Sequence, residues 1–296
     1  MTEATRVSTH GIDSATLVAV DSVSFGTVIP HERQAVKAKR WGWWYYGEYR
    51  LRSMKAYWHI LVGWGLIVPI LYLAAMGLGI GSLVDSNTGD VLGVPYLVFV
   101  GPALIVSSVF MECTQEFTYP IMGNFYWHRV YFGVASTPIT PTMIAVGEVV
   151  VVGLRMFVQA LAFWVILLVS GGTTSGWSWL VPFIAVLTAM SFGANLMAFS
   201  ATRERDDFSF PVIQRFIVMP WFLFAGTFFP LESMPEYLQW IGWISPLWHG
   251  TQLARAASFS MPLSTAQLVI HLGFLVALVV LGILLSIAQF KRRLTR

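Results

Sequence analysis

At 296 residues, with 56% apolar side chains, 11% charged side chains and a mean hydropathy of +0.67, this chain cannot clothe a soluble globule in mixed charge. Its single cysteine, Cys113, excludes an intramolecular disulfide, fits no metal motif and reads as a small apolar filler. A net charge of +3 and a pI near 9.1 would admit a nucleic-acid partner. The basic residues, however, sit beside apolar runs, where the positive-inside rule accounts for them, so no nucleic acid is expected.

Residues 1–31 mix Ser, Thr, Val and scattered charges without helical periodicity, and are predicted to form a poorly ordered cytoplasmic arm. A short strand over 16–28 is compatible with its valines. No compact apolar run of a cleavable signal occurs in residues 1–56. Over 32–55, Lys37, Lys39, Arg40, Arg50, Arg52 and Lys55 alternate with Trp41, Trp43, Trp44, Tyr45, Tyr46 and Tyr49. Indoles and phenols among cations predict an amphipathic helix in the headgroup layer, binding membrane lipid.

Residues 56–296 form the membrane domain. The uncharged run between Lys55 and Asp85 exceeds the length needed to cross a bilayer core of about 30 Å. Runs 91–111, 156–202 and 256–290 also lack Asp, Glu, Lys and Arg. Six spans are predicted, over about 57–83, 94–111, 143–169, 180–200, 211–229 and 263–290. Basic residues before the first span and Lys291, Arg292, Arg293 and Arg296 after the last place both termini in the cytoplasm; only Arg255 falls in a segment placed outside. The expected fold is therefore an all-α integral membrane protein with N-in/C-in topology.

Two connections stand out. Residues 112–141 are too polar and too broken by Pro and Gly to face lipid, and form a long cytoplasmic connection. Residues 230–246 are apolar and aromatic, yet Glu232, Glu236, Pro230, Pro235 and Pro246 interrupt them. A short outer-leaflet hairpin fits, with Trp240 and Trp243 on one face.

In the third span Glu148 and Arg155 lie seven apart, on one helix face but about 10 Å apart along the axis. Charges at that depth mark a cavity or subunit boundary, unless their side chains reach cytoplasmic headgroups. Glu112 and Glu116, at i and i+4, repel if both ionise; they suit a basic partner surface or a solvated helix end. His59, His249 and His271 are scattered and read as packed or interfacial imidazoles. No phosphate loop, HisGluXxxXxxHis motif or nucleophile elbow occurs, so catalysis and a cofactor bound by this chain are not expected.

The chain resembles the membrane subunits of type-2 ATP-binding-cassette (ABC) exporters, in particular nodulation-factor (lipo-oligosaccharide), polysaccharide and drug exporter permeases. The resemblance covers about residues 50–295. It is carried by PheAlaGlyThrPhePhePro at 224–230, MetPro at 234–235 and ProLeuTrpHis at 246–249, by SerThrProIleThrPro at 136–141 with GlyGlu at 147–148, and by residues 67–81. It implies paired permeases, a second copy or a paralogue, above a separate ATPase dimer that holds ATP and Mg. Residues 32–55 would be its interfacial elbow helix. The segment containing Glu116, Tyr119, Pro120, Gly123, Phe125 and Arg129 would couple to the ATPase. The segment containing Gly226, Phe229, Pro230, Pro235, Trp240, Trp243 and Pro246 would be the re-entrant hairpin below the exit. Trp221, Phe222, Phe224 and Phe228 suit an amphipathic cargo pathway, or pack between helices. The expected setting is the bacterial plasma membrane.

Two other classes stay open. A lipid-modifying membrane enzyme would use Glu148, Arg155 and His249 on headgroups, and needs them to converge. A gradient-driven transporter is disfavoured by the absence of a repeated half and the scarcity of intramembrane charge.

Overall fold

A computed structural model describes residues 31–55, 59, 63, 67, 70–87, 89–205 and 208–295. The arm and strand predicted before residue 31, and most of residues 57–69 at the start of the first span, lie outside the described residues. The described chain is helical, with one isolated bridge between Val91 and Val94 and no strand.

Helix α1 spans His31–Met54, and α2 spans Ile70–Asn87 with a π-helical stretch at Ala74–Ile80. Then come α3, Tyr96–Glu116, α4, Tyr119–Tyr126, α5, Val130–Ala135, and α6, Pro141–Val169. Helix α7, Val181–Thr202, follows a 3₁₀ turn, and α8 covers Ser209–Phe224 with a π-helical stretch at Gln214–Val218. Helices α9, Glu236–Ile244, α10, Pro246–Phe259, and α11, Thr265–Leu294, complete the chain.

Local signals explain many of these boundaries. Thr140 caps α6 by accepting from Met143 N, with Pro141 in the first turn; Ser245 and Pro246 repeat that device at α10. Ser264 and Gln267 form a reciprocal capping box on α11. Asp85 accepts from Tyr96 N at 3.0 Å, placing a carboxylate at the start of α3.

Among the described residues, five helical stretches are long and apolar enough to cross a membrane: Ile70–Asn87, Tyr96–Tyr126, Pro141–Val169, Ser178–Thr202 and Thr265–Leu294. The expected fifth span, α8, is shorter, about 24 Å at 1.5 Å per residue. Its helix stops at Phe224 because Gly226 takes a left-handed conformation, with φ of 73°.

Helices α3 and α7 form the buried centre, while α6 and α11 bury only one side each. Small residues set the spacing. A Cβ on Gly193 of α7 would come within 2.6 Å of Cys113 Sγ, and one on Gly282 of α11 within 2.7 Å of Asn195 N. Such close approach suits helices that gain no hydrophobic drive from leaving lipid and rely on packing. On α6, Val150, Leu154, Val158, Leu161, Val165 and Leu168 form an exposed stripe at i+3 and i+4 spacing, the face left for lipid or another helix.

Helix α1 is held more firmly than a passive headgroup anchor. Its Gly42, Tyr46 and Gly47 face α6, where Gly147 lies so close that an added Cβ would sit 2.9 Å from the Trp43 carbonyl. Trp41, Trp44, Tyr45 and Tyr49 remain on its exposed side.

The largest departure from expectation is α10. The predicted hairpin ends at Pro246, but the chain continues as a buried helix through Phe259, packed among α3, α7 and α11. Arg255, expected in an outer segment, is inside the protein at 1% exposure.

Candidate functional site: two ion clusters and an aromatic groove

The connection between α3 and α6 folds into α4 and α5, joined at Arg129, whose φ of 52° turns the chain sharply. Tyr131 on α5 is fully buried and donates to Glu148 Oε1 at 2.8 Å. Tyr46 of α1 donates to the same oxygen at 2.5 Å, and Arg50 Nε lies 3.3 Å from both carboxylate oxygens. Glu148 is 0% exposed, so these three donors replace its water. Burial would lower the Arg50 guanidinium, but the adjacent Glu148 outweighs it and holds Arg50 above its ordinary value. Burial, reinforced by Glu148, pushes the Tyr46 and Tyr131 phenols well above theirs.

Arg155, two turns along α6, turns to α3. Its Nη2 donates to Glu112 Oε1 at 2.5 Å and its Nη1 to Glu116. The two carboxylates that would repel one another thus grip one guanidinium fork. Shared helix face notwithstanding, Glu148 and Arg155 belong to separate clusters, and both find protein partners instead of cytoplasmic headgroups. Glu116 and Glu112 close the last turn of α3, whereas the connection was expected to begin at Glu112.

The residues assigned to coupling divide into a surface and its support. Arg129 is exposed, and Tyr119 is partly so, with its ring 4.9 Å from Phe210. Tyr126 and Trp127, which sequence reasoning did not single out, are exposed beside them, as is His128 of the same connection. Beneath, Phe125 is buried against Tyr131 and Phe290, at 4.6 and 4.9 Å, and Arg293 lies 4.4 Å over its ring. Gly123 is needed for closeness: a Cβ there would meet the Trp127 ring at 2.9 Å. Pro120 sits in the first turn of α4.

A groove of about 330 Å³ runs between α2, α3, α6 and α8, lined by Tyr72, Ser107, Met111, Glu112, Gln159 and Phe222 among others. Phe222 and Phe228 contact Tyr72 and each other, with centroids 5.3 to 6.5 Å apart. Trp221 instead packs inward on Phe192 and Phe110. Of the expected pathway residues, only Phe222 lines the groove; Phe224 is half-buried away from it.

At the far end of the bundle the turn after α8 is pinned to α3. Tyr96 donates to the Phe228 carbonyl at 3.2 Å, Ser107 meets Thr227 Oγ1 at 3.2 Å, and Arg255 Nη2 donates to the Gly226 carbonyl at 2.7 Å. Phe229, Trp240 and Trp243 are exposed, Pro235 precedes α9 and Pro246 begins α10. His249 and His271, read as unrelated, meet at 2.7 Å between their Nδ1 atoms. Since Nε2 of His249 lies 3.1 Å from the Trp243 carbonyl it must carry a proton, so in the neutral pair His271 Nδ1–H donates to His249 and His271 Nε2 is left an acceptor. Twenty-two residues separate the two, and helical spacing carries no trace of the pairing.

Glu148, Arg155 and His249 therefore lie in three separate hydrogen-bonded groups and form no shared centre. Among the described residues no cluster of three or more His, Cys, Asp or Glu is placed to hold a metal.

Apolar helices with exposed apolar stripes, and charges partnered inside the protein, define a multi-pass membrane protein. The ABC-2 type transporter family model matches residues 44–259, and the chain belongs to that family. It is 28% identical over 233 residues to Nodulation protein J of Rhizobium leguminosarum bv. viciae, covering 77% of this chain and 85% of that protein. It is 28% identical over 231 residues to Nodulation protein J of Neorhizobium galegae, covering 77% and 84%. It is also 26% identical over 185 residues to the inner membrane transport permease YadH of Escherichia coli, covering 62% and 70%.

Proposed function

We propose that this chain is the transmembrane permease subunit of an ATP-driven ABC exporter of the bacterial inner membrane. A separate ATPase dimer, holding ATP and Mg, docks at the α4–α5 surface, and a second permease copy or paralogue completes the pathway. The cargo is amphipathic, of the lipid-linked saccharide, glycolipid or hydrophobic drug class, and leaves the cytoplasm or inner leaflet. Both termini lie inside and α9–α10 form a re-entrant hairpin at the outer face, in keeping with the basic residues before α2 and after α11.

The observation that carries this reading is the wiring of the α4–α5 connection. Tyr131 ties it through Glu148 to α1 and α6, and Arg155 ties the adjoining end of α3 to α6. A displacement of α4–α5 from below is thereby passed to three helices, two of which border the aromatic groove. That is what coupling ATP turnover to cargo movement requires. The exposed apolar residues Val212, Phe216 and Ile217 of α8, with Phe208 just before it, support a helix-to-helix contact with the second permease.

The test is purification from native membranes in mild detergent. Co-purification of a polypeptide with a phosphate-loop ATPase site in equal stoichiometry, with cargo-stimulated ATP hydrolysis, is expected. Its persistent absence with the chain intact, or transport that survives removal of the ATPase, would sink the reading.

A further inference from the structure

Where α11 begins, a cavity of about 570 Å³ opens that the coupling mechanism does not use. Its walls include Arg255, Glu232, Gln252, Gln267, Trp248 and His271. Two of these carry unmet donors. Arg255 spends Nε on the Phe99 carbonyl at 3.3 Å and Nη2 on the carbonyls of Gly226 and Thr227 at 2.7 and 3.2 Å. Its Nη1 has no partner, and no carboxylate lies within ion-pair distance of it, among the described residues. The buried Trp248 indole N–H is also unpartnered among the described residues.

A guanidinium buried to 1% exposure, on which Glu232 acts only from beyond ion-pair distance, is costly, and an unmet indole N–H adds to that cost. An anionic ligand group would satisfy both. The opposite charge is present too: Glu232 is exposed on the cavity wall and forms no ion pair among the described residues. His271, its Nδ1 committed to His249, offers Nε2 as a further acceptor. A purely anionic ligand would meet Glu232, and a purely cationic one Arg255.

We infer that this cavity binds the head group of a phosphoethanolamine-class phospholipid, with the phosphate against Arg255 and Trp248 and the ammonium against Glu232 and His271. The two acceptors need N–H donors, which a primary ammonium has and a quaternary choline lacks. Met261 and Leu263 in the same wall give the glycerol and first acyl carbons an apolar bed, so the ligand is a lipid and not a soluble zwitterion. The inference rests on the transport reading only for its sidedness, which makes the lipid one of the outer leaflet.

The test uses the full chain in mild detergent without ATP, so its outcome is independent of any ATPase partner. Short-chain phosphatidylethanolamine, phosphatidylcholine and phosphatidic acid, and soluble glycerophosphoethanolamine, are compared by native mass spectrometry and thermal shift. Phosphatidylethanolamine is expected to bind most tightly. Glu232→Gln, at an exposed position, should weaken it by roughly tenfold while leaving phosphatidic acid unchanged or tighter. Gln267→Glu keeps the capping box and adds negative charge to the wall, so it should weaken phosphatidic acid by roughly tenfold. Equal binding of the choline lipid or of glycerophosphoethanolamine, or indifference to both substitutions, would overturn the assignment.

Discussion

The Tyr46 hydroxyl and the Glu148 carboxylate, 102 positions apart, meet at 2.5 Å in the interior and join the N-terminal helix to the third long apolar helix. Arg50 completes the pair from 3.3 Å, and its side chain is only 14% exposed. Breaking a buried ion pair from one side leaves the other charge without water or partner, at a cost of about 3–5 kcal/mol. Glu148→Gln is therefore expected to lower the thermal unfolding temperature of the detergent-solubilised protein. Adding Arg50→Met to Glu148→Gln should recover part of the loss. A double variant that loses the sum of the two singles would mean that the contact carries no coupling energy.

Alkaline titration reads the same cluster through its phenols. Burial, then Glu148, raises Tyr46 and Tyr131 above their ordinary value of about 10. A phenol whose folded value is raised stabilises the fold below the unfolded value, and that contribution fades as pH rises past it. Stability is thus expected to fall above about pH 10, and tyrosinate absorbance to show a slow phase that appears only with unfolding. Tyr131→Phe should shrink that phase; an unchanged phase in Tyr131→Phe and Tyr46→Phe would assign it to other tyrosines.

Much of this architecture is legible in the sequence, because long uncharged runs between charged connections have few soluble alternatives. Pro141, read in the sequence as part of a shared motif, and Pro246, read as an interruption, instead open helices behind the caps Thr140 and Ser245. What the sequence hides is partner choice. Glu148 and Arg155 share a face by spacing, yet α1 and α3 flank α6 differently, and each charge turns to its own neighbour. Helix α10 is hidden for another reason: its inward side carries Thr251, Gln252, Arg255 and Ser258, so no apolar period marks it as buried. Its burial depends on carbonyls supplied by residues 99, 226 and 227.

Arg155 tests whether the second cluster transmits motion. A lysine keeps the charge but loses the planar fork that serves Glu112 and Glu116 together. On the proposed exporter reading, Arg155→Lys is expected to leave ATP hydrolysis by the reconstituted assembly intact while transport falls by roughly tenfold, as a slack linkage would. Trp127→Ala and Arg129→Ala, on the exposed α4–α5 surface, should instead weaken retention of the ATPase. Equal loss of both activities in Arg155→Lys would point to a folding role alone.

Two glycines of α11 separate helix packing from helix propensity. Gly282 lies against α7 so closely that a Cβ would sit 2.7 Å from the Ala194 Cβ and 2.7 Å from Asn195 N, and backbone offers no flexible end to move aside. Gly273, on the same helix, has nothing within 4 Å of an added Cβ. Alanine relieves the entropic penalty of glycine in both, by roughly 0.5–1 kcal/mol. At Gly282 the helices must separate, and overpacking of this kind costs about 1–3 kcal/mol. Gly282→Ala is therefore expected to lower the unfolding temperature and Gly273→Ala to leave it unchanged or raise it, both followed by tryptophan fluorescence. A matched response at the two positions would show that α7 and α11 do not touch where the structure brings them together.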